Sequence, residues 1–237
     1  MFENQPTRRG ASQPAAVQRR GIERVQAILD AAESLLAEQG YAAATLKAVG
    51  ERAGIPTASL YHYFADRRQV DAQLVRRHLD TLDEELAGAL NDTTVRTLVD
   101  SVDTTISLLL NYFRDHPSFV QLWFAGRSAS LSELAHEFDQ SWAEQLWRFL
   151  VDRKLIRTNT PQFTVELAFE AGDRLFDIAF QRSLGGDDAV IAEARRLITA
   201  YLQTYAPVPK RAAKKAGAKW HQWMMTPLMF LPSRRSW

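Results

Sequence analysis

A chain of 237 residues with a formal net charge of +1, 46% apolar residues, 12 Phe, 6 Trp and 6 Tyr can build a packed core and has room for one large domain or two modest ones. No window of about 18 consecutive apolar residues occurs, residues 1–21 carry Arg8, Arg9, Arg19 and Arg20 without an apolar run, and there is no cysteine, so no spanning helix, secretory signal, disulfide framework or thiolate metal site is expected. The small total hides segregation: residues 1–80 hold 11 basic and 9 acidic groups, 81–206 hold 11 and 19, and 207–237 hold 7 and none, which suits a protein that presents one end to a polyanion.

Residues 1–19 read as a flexible basic arm. From Arg20 to Gln39, Ile22, Val25, Ile28, Leu29, Ala32, Leu35 and Leu36 fall on one stripe of helical period, and Gly40 stops it. Thr45 is the N-cap of a second helix that closes at Gly54, and Pro56 or Thr57 starts a short third one ending near Phe64. Asp66 caps a long fourth helix with Val70, Leu74, His78, Leu79, Leu82 and Leu86 inside, broken at Asn91-Asp92-Thr93. A fifth runs from about Thr94 to Asp115 and ends at His116-Pro117; a short piece through Phe124 follows. Ser130–Arg153, Pro161 to about Leu184, and Ala189–Tyr205 complete the periodic segments, with Gly185-Gly186-Asp187-Asp188 as a turn and cap. No segment alternates with period two, so the expected fold is all-α with about nine helices.

Residues 45–64 carry the most information. Two short helices joined by a tight turn, the second bearing hydroxyls and rings on its outer side, have the layout of a helix-turn-helix whose second helix enters the DNA major groove. Such a helix offers donors, hydroxyls and flat rings to base edges and phosphates, as Thr57, Ala58, Ser59, Tyr61, His62 and Tyr63 do, while Leu60 and Phe64 anchor it inward. The helix start at Thr45, with Lys47, suits a phosphate, and Arg67 and Arg68 are placed to clamp the flanking backbone.

Residues 21–68 resemble the DNA-binding domain of the TetR family of bacterial repressors, in the helix ending at Gly40-Tyr41, then Thr45, Val49, Ala53-Gly54, Leu60-Tyr61, Tyr63-Phe64 and basic Arg67. The family usually has an apolar-Ala pair where this chain has Val49-Gly50, Gly at Ala58, His at Tyr63 and Lys at Arg67. Gly50 is expected to loosen the second helix, by roughly 1 kcal/mol against alanine. The resemblance implies a homeodomain-like head at residues 20–66, a larger effector-binding and dimerisation domain at 67–206, a homodimer, and a palindromic double-stranded DNA operator. Two-fold pairing would set two reading helices about 34–36 Å apart on one face of the duplex.

For the dimer, the last two helices offer Leu167, Ala168, Ala171, Leu175, Ile191, Ala194, Leu197, Ile198 and Tyr201, with Gly172 allowing close approach, as in a four-helix bundle. A ligand cavity for a small, largely apolar effector is expected among Phe113, Phe119, Trp123, Phe124, Phe138, Trp142, Trp147, Phe169 and Phe176, oriented by His116, Arg127, Asp173 and Asp177. The five histidines lack His-x-x-x-His spacing and no phosphate-cradling loop follows a strand, so neither an enzyme, a cofactor nor a metal is expected. Residues 207–237, basic and rich in Trp and Met, read as a flexible tail; contact with a membrane is not expected and a cytoplasmic location fits. The leading reading is a dimeric repressor released from DNA by its ligand. The alternative is a DNA-binding architectural or interaction protein without an effector.

Overall fold

The computed structural model describes residues 13–92, 94–125 and 129–208, and all regular structure among them is helical. Nine α-helices follow in order: α1 Gln13–Gln39, α2 Leu46–Ala53, α3 Thr57–Leu60, α4 Arg67–Leu90, α5 Leu98–Asp115, α6 Pro117–Val120, α7 Ala129–Asp152, α8 Phe163–Arg182 and α9 Asp188–Gln203. A π-helical turn, Gln121–Ala125, continues α6. Among the described residues, no helix is long and apolar enough to cross a membrane. The expected tail, apart from Pro207 and Val208, lies outside the described residues.

Local chemistry sets most boundaries. The Thr45 side chain accepts from the Ala48 N–H (3.2 Å), and Gly54 closes α2 at φ 66°, a left-handed conformation that favours glycine. Asp66 caps α4 through Gln69 N–H (3.0 Å). Helix α3 ends at Leu60, short of the expected Phe64, and three helix starts differ from the sequence reading by more than one residue. Helix α1 starts at Gln13 and so takes in the last seven residues of the expected arm. Helix α5 starts at Leu98, not Thr94, because Thr97 and Asp100 form a reciprocal capping box while Asp92 holds the Thr94 N–H in a preceding turn (2.8 Å). Helix α8 starts at Phe163, because Pro161 and Gln162 first make a turn that accepts from Thr164 and Val165.

Helices α1 to α3 and the first turns of α4 form a head around Ile28, Leu29, Ala32, Leu36, Val49, Leu60, Phe64, Val70 and Leu74, all buried. Helix α4 runs on into a body where it packs on α5 and α7, while α8 and α9 pair closely through a short turn. The head also meets the body directly, α1 against α6. Ion pairs also tie α4 to α1: Arg77 of α4 reaches Asp30 (2.6 Å) and Glu33 (2.5 Å) of α1.

Candidate nucleic-acid interface and ligand cavity

The helix-turn-helix is held by two anchors and one close approach. Leu60 is fully buried and Phe64 nearly so, which fixes α3 on the core. Gly50 is buried beside the turn, where a Cβ would stand 2.9 Å from the Ile55 carbonyl oxygen. The expectation that Gly50 loosens α2 is therefore corrected: its missing side chain is what lets the turn fold back onto the helix, and Gly50 O accepts from Ile55 N–H at 2.9 Å. With those anchors inward, Tyr61 is turned out, 55% exposed, and Ala58 and His62 are exposed beside it. Thr57 and Ser59 are half-buried, as is Tyr63, whose hydroxyl takes a long contact from Arg24 (3.5 Å). Thr45, Lys47 and Arg68 are exposed on the same head, Lys47 in a loose pair with Glu51 (3.8 Å).

Arg67 departs from the sequence reading. Its guanidinium turns inward, 18% exposed, to pair with the buried Asp71 one turn on (Nε–Oδ1 2.5 Å) and to lie over the Tyr41 ring (4.7 Å). The Tyr41 hydroxyl donates to the other carboxylate oxygen (3.0 Å). Burial pushes the Asp71 carboxyl above its usual range against the pull of Arg67, and burial with the Asp71 charge pushes the Tyr41 phenol up. In this state Arg67 braces α4 against the head, and Arg68, its exposed neighbour, is the residue left facing out. Sequence reasoning passed over Asp71, although an Arg–Asp pair four apart on a helix was the available signal.

In the body, an apolar cavity of about 80 Å³ lies between α4, α5, α7, α8 and α9. Of the expected lining, Phe113, Phe119, Trp123, Phe138, Phe169, Asp173 and Phe176 border it, joined by Leu82, Ile106, Leu109 and Ile198. Its polar edge is Asp139 and Asp173, the latter accepting from the Trp123 indole N–H (3.2 Å). The other candidates stand elsewhere. Trp142 is buried behind the lining, Trp147 donates to the Thr160 carbonyl (2.9 Å) and ties α7 to the approach of α8, and Phe124 stacks on Phe180 (5.3 Å). Asp177 is paired with Arg174 and Gln181. His116 lies at the α5–α6 corner beside His78, not in the cavity, and Arg127 is outside the described residues. Helical spacing alone puts a ring on the inner face without saying whether it meets space or another ring.

The sequence profile of bacterial regulatory proteins of the tetR family matches residues 28–71, and that of the tetracyclin repressor-like C-terminal domain matches residues 97–202. The chain belongs to the TetR family. A crystal structure of a TetR-family transcriptional regulator from Streptomyces coelicolor shares 30% identity with a TM-score of 0.61, over 78% of this chain and 98% of that one. The transcriptional repressor KstR2 of Rhodococcus jostii is 31% identical over 124 residues, 48% of this chain and 59% of that protein. The transcriptional activator FasR of Mycolicibacterium smegmatis is 33% identical over 96 residues, 38% of this chain and 44% of that protein. The chain thus spans about half the length of the curated relatives it matches.

Within this TetR-family chain the nine residues expected at a dimer interface divide. Ala168, Ile191 and Ala194 are buried inside the chain, and Ile198 lines the cavity, its Cδ1 3.2 Å from where a Gly172 Cβ would stand. For these the reading as interface is corrected: the close approach that Gly172 permits is between α8 and α9 of one chain. Ala171, Leu175 and Tyr201 are half-buried, while Leu167 and Leu197 stand about half exposed, with Phe163 likewise exposed on α8. Phe163, passed over in the sequence reading, stands one helical turn before Leu167 and extends that stripe to the start of α8.

Proposed function

We propose that this TetR-family chain is a dimeric transcriptional repressor that binds a palindromic operator and is released by a small, largely apolar ligand. The observation that carries the DNA part is the division of α3: Leu60 buried, Tyr61 and His62 turned out. That division supports Thr57, Ala58, Ser59, Tyr61, His62 and Tyr63 as base- and backbone-facing groups, with Thr45, Lys47 and Arg68 on phosphates. A cytoplasmic location follows from that role. The exposed Phe163, Leu167 and Leu197 support α8 and α9 as the surface that meets a second copy.

The cavity supports the ligand. Its walls are nearly all carbon, and Asp139 and Asp173 suit a hydrogen-bond donor or a cationic group at one end. At about 80 Å³ it falls short of the roughly 300–1,000 Å³ of a drug-sized site, so a larger ligand must part the helices around it. Phe119 offers a route outward: it lines the cavity and stacks on His78 (4.6 Å), at the seam where α6 meets α1 of the head. Release requires that the ligand bind the DNA-free arrangement more tightly than the DNA-bound one.

Fluorescence anisotropy on the duplex upstream of the chain's own gene, beside a shuffled duplex at two salt concentrations, tests this reading. A strong preference for the native duplex, reduced about tenfold in Tyr61→Ala with stability unchanged, is expected. Equal and steeply salt-dependent binding to both duplexes would favour the architectural alternative, and a ligand that binds free and operator-bound protein equally would remove the release mechanism.

A further inference from the structure

Glu33 of α1, His78 of α4 and His116 at the α5–α6 corner come from distant parts of the sequence, yet one ligand atom of each lies within 4.8 Å of the other two. Their hydrogen bonding is incomplete in an informative way. The Tyr112 hydroxyl donates to the His78 carbonyl oxygen (3.2 Å), which leaves its oxygen to accept from His78 Nδ1–H (2.8 Å). The other ring nitrogen, Nε2, is buried 3.2 Å from Glu33 Oε1 without a well-formed hydrogen bond. With the proton on Nδ1, the Nε2 lone pair faces the Glu33 carboxylate, an arrangement that a bound cation relieves. A tetrahedral cation between Nε2 and the carboxylate satisfies both and holds two ligand atoms at about the separation seen here.

We propose that Glu33, His78 and His116 bind a divalent transition-metal ion of the zinc type. Two imidazoles and one carboxylate suit zinc and its neighbours far better than calcium or magnesium, which take oxygen ligands. In a tetrahedral site with bonds of about 2.0–2.1 Å, ligand atoms stand roughly 3.3 Å apart. Glu33 and His78 already do, and the His116 ring closes the site with a shift of no more than roughly 1.5 Å. The Nδ1–H contact to Tyr112 is the outer-sphere bond that orients a ligating histidine. His116 and Tyr112 also border an open groove that carries Glu85 and Asp115, an acidic approach for a cation and space for a water in the fourth position. The ion would tie α1 of the head, through Glu33, to α4 and to the α5–α6 corner of the body. No spacing signal announces this site in the sequence, because the three ligands sit on three separate elements.

The test uses the full chain, stripped with a chelator and titrated with Zn²⁺ by calorimetry and with Co²⁺ by its visible ligand-field absorption. One equivalent per chain is expected, with a raised unfolding midpoint. His116→Ala should weaken binding about 100-fold or more and Tyr112→Phe about tenfold, while His136→Ala, an exposed histidine on α7, binds as the parent does. His116→Asn serves if His116→Ala loses its helical circular dichroism. Parent-like affinity in the His116 variants, loss of the ion in His136→Ala instead, or no binding by the parent up to about 1 mM would each overturn the proposal.

Discussion

The head closes a small, mainly aliphatic core with local devices, each worth little: Thr45 and Asp66 as caps, Gly54 as a stop, and the Arg52–Glu38 pair (2.8 Å) that latches α2 to α1. The body is held by rings. Phe113 alone meets Phe119, Trp123, Phe124, Phe176 and Phe180 at centroid distances of 5.3–6.4 Å. The head can therefore keep one exposed reading helix in place with few residues, whereas the body's stability and its cavity are made of the same side chains. Phe119→Ala puts this contrast under the heaviest load. It removes a fully buried ring that borders the cavity and stacks on His78, and is expected to lower stability by about 3–5 kcal/mol in denaturant titration. Thr45→Ala in the head should lose only about 1 kcal/mol. A smaller loss for Phe119→Ala than for Thr45→Ala would erase the distinction.

The next effect concerns a residue whose role changed between sequence and structure. Arg67→Ala leaves Asp71 buried with only Tyr41 as a partner. Because burial already holds the Asp71 carboxyl above its ordinary range, it can take up a proton, which limits the expected loss to about 2 kcal/mol. Without Arg67, the stability that remains should decline as the pH rises through the Asp71 pKa, since the ionised carboxylate is the form that burial disfavours. A pH-independent loss, measured by denaturation across the acid range, would show that Arg67 does not brace α4 through Asp71.

Legibility follows the same division. The caps at Thr45 and Asp66, the stop at Gly54 and the inward Leu60 and Phe64 were readable because each depends on neighbours within a few residues. The cavity was readable only in part: the spacing of Phe113, Phe169 and Phe176 shows that they face inward, but whether an inward ring also borders the cavity, as these do, or is spent tying elements together, as Trp147 is through the Thr160 carbonyl, is decided by segments the spacing does not reveal. Gly50 shows the limit most sharply. Helix propensity predicts that Gly50→Ala stabilises α2 by roughly 1 kcal/mol, while the added Cβ would stand 2.9 Å from a backbone oxygen that cannot swing away. Overpacking of about 1–3 kcal/mol wins, so a net destabilisation of about 1 kcal/mol is expected by thermal or chemical unfolding. A stabilised variant would mean that the turn after α2 yields more easily than its packing implies.

The smallest effect on stability separates Arg67 from Arg68 as partners of DNA. Arg68 is exposed at the first turn of α4, and no hydrogen bond or ion pair to another described residue engages its side chain. Arg68→Ala should leave stability within about 0.5 kcal/mol of the parent. A contact with phosphate releases roughly one counterion, so the same variant should lower affinity for native and shuffled duplexes alike and flatten the dependence of log K on log salt by about 1. Arg67→Ala, compared at a temperature where both variants are folded, should leave that slope nearly unchanged, since its guanidinium is already committed to Asp71. If Arg67→Ala flattened the slope as Arg68→Ala does, the guanidinium must leave Asp71 when DNA arrives, and the brace seen here would belong to the free protein alone.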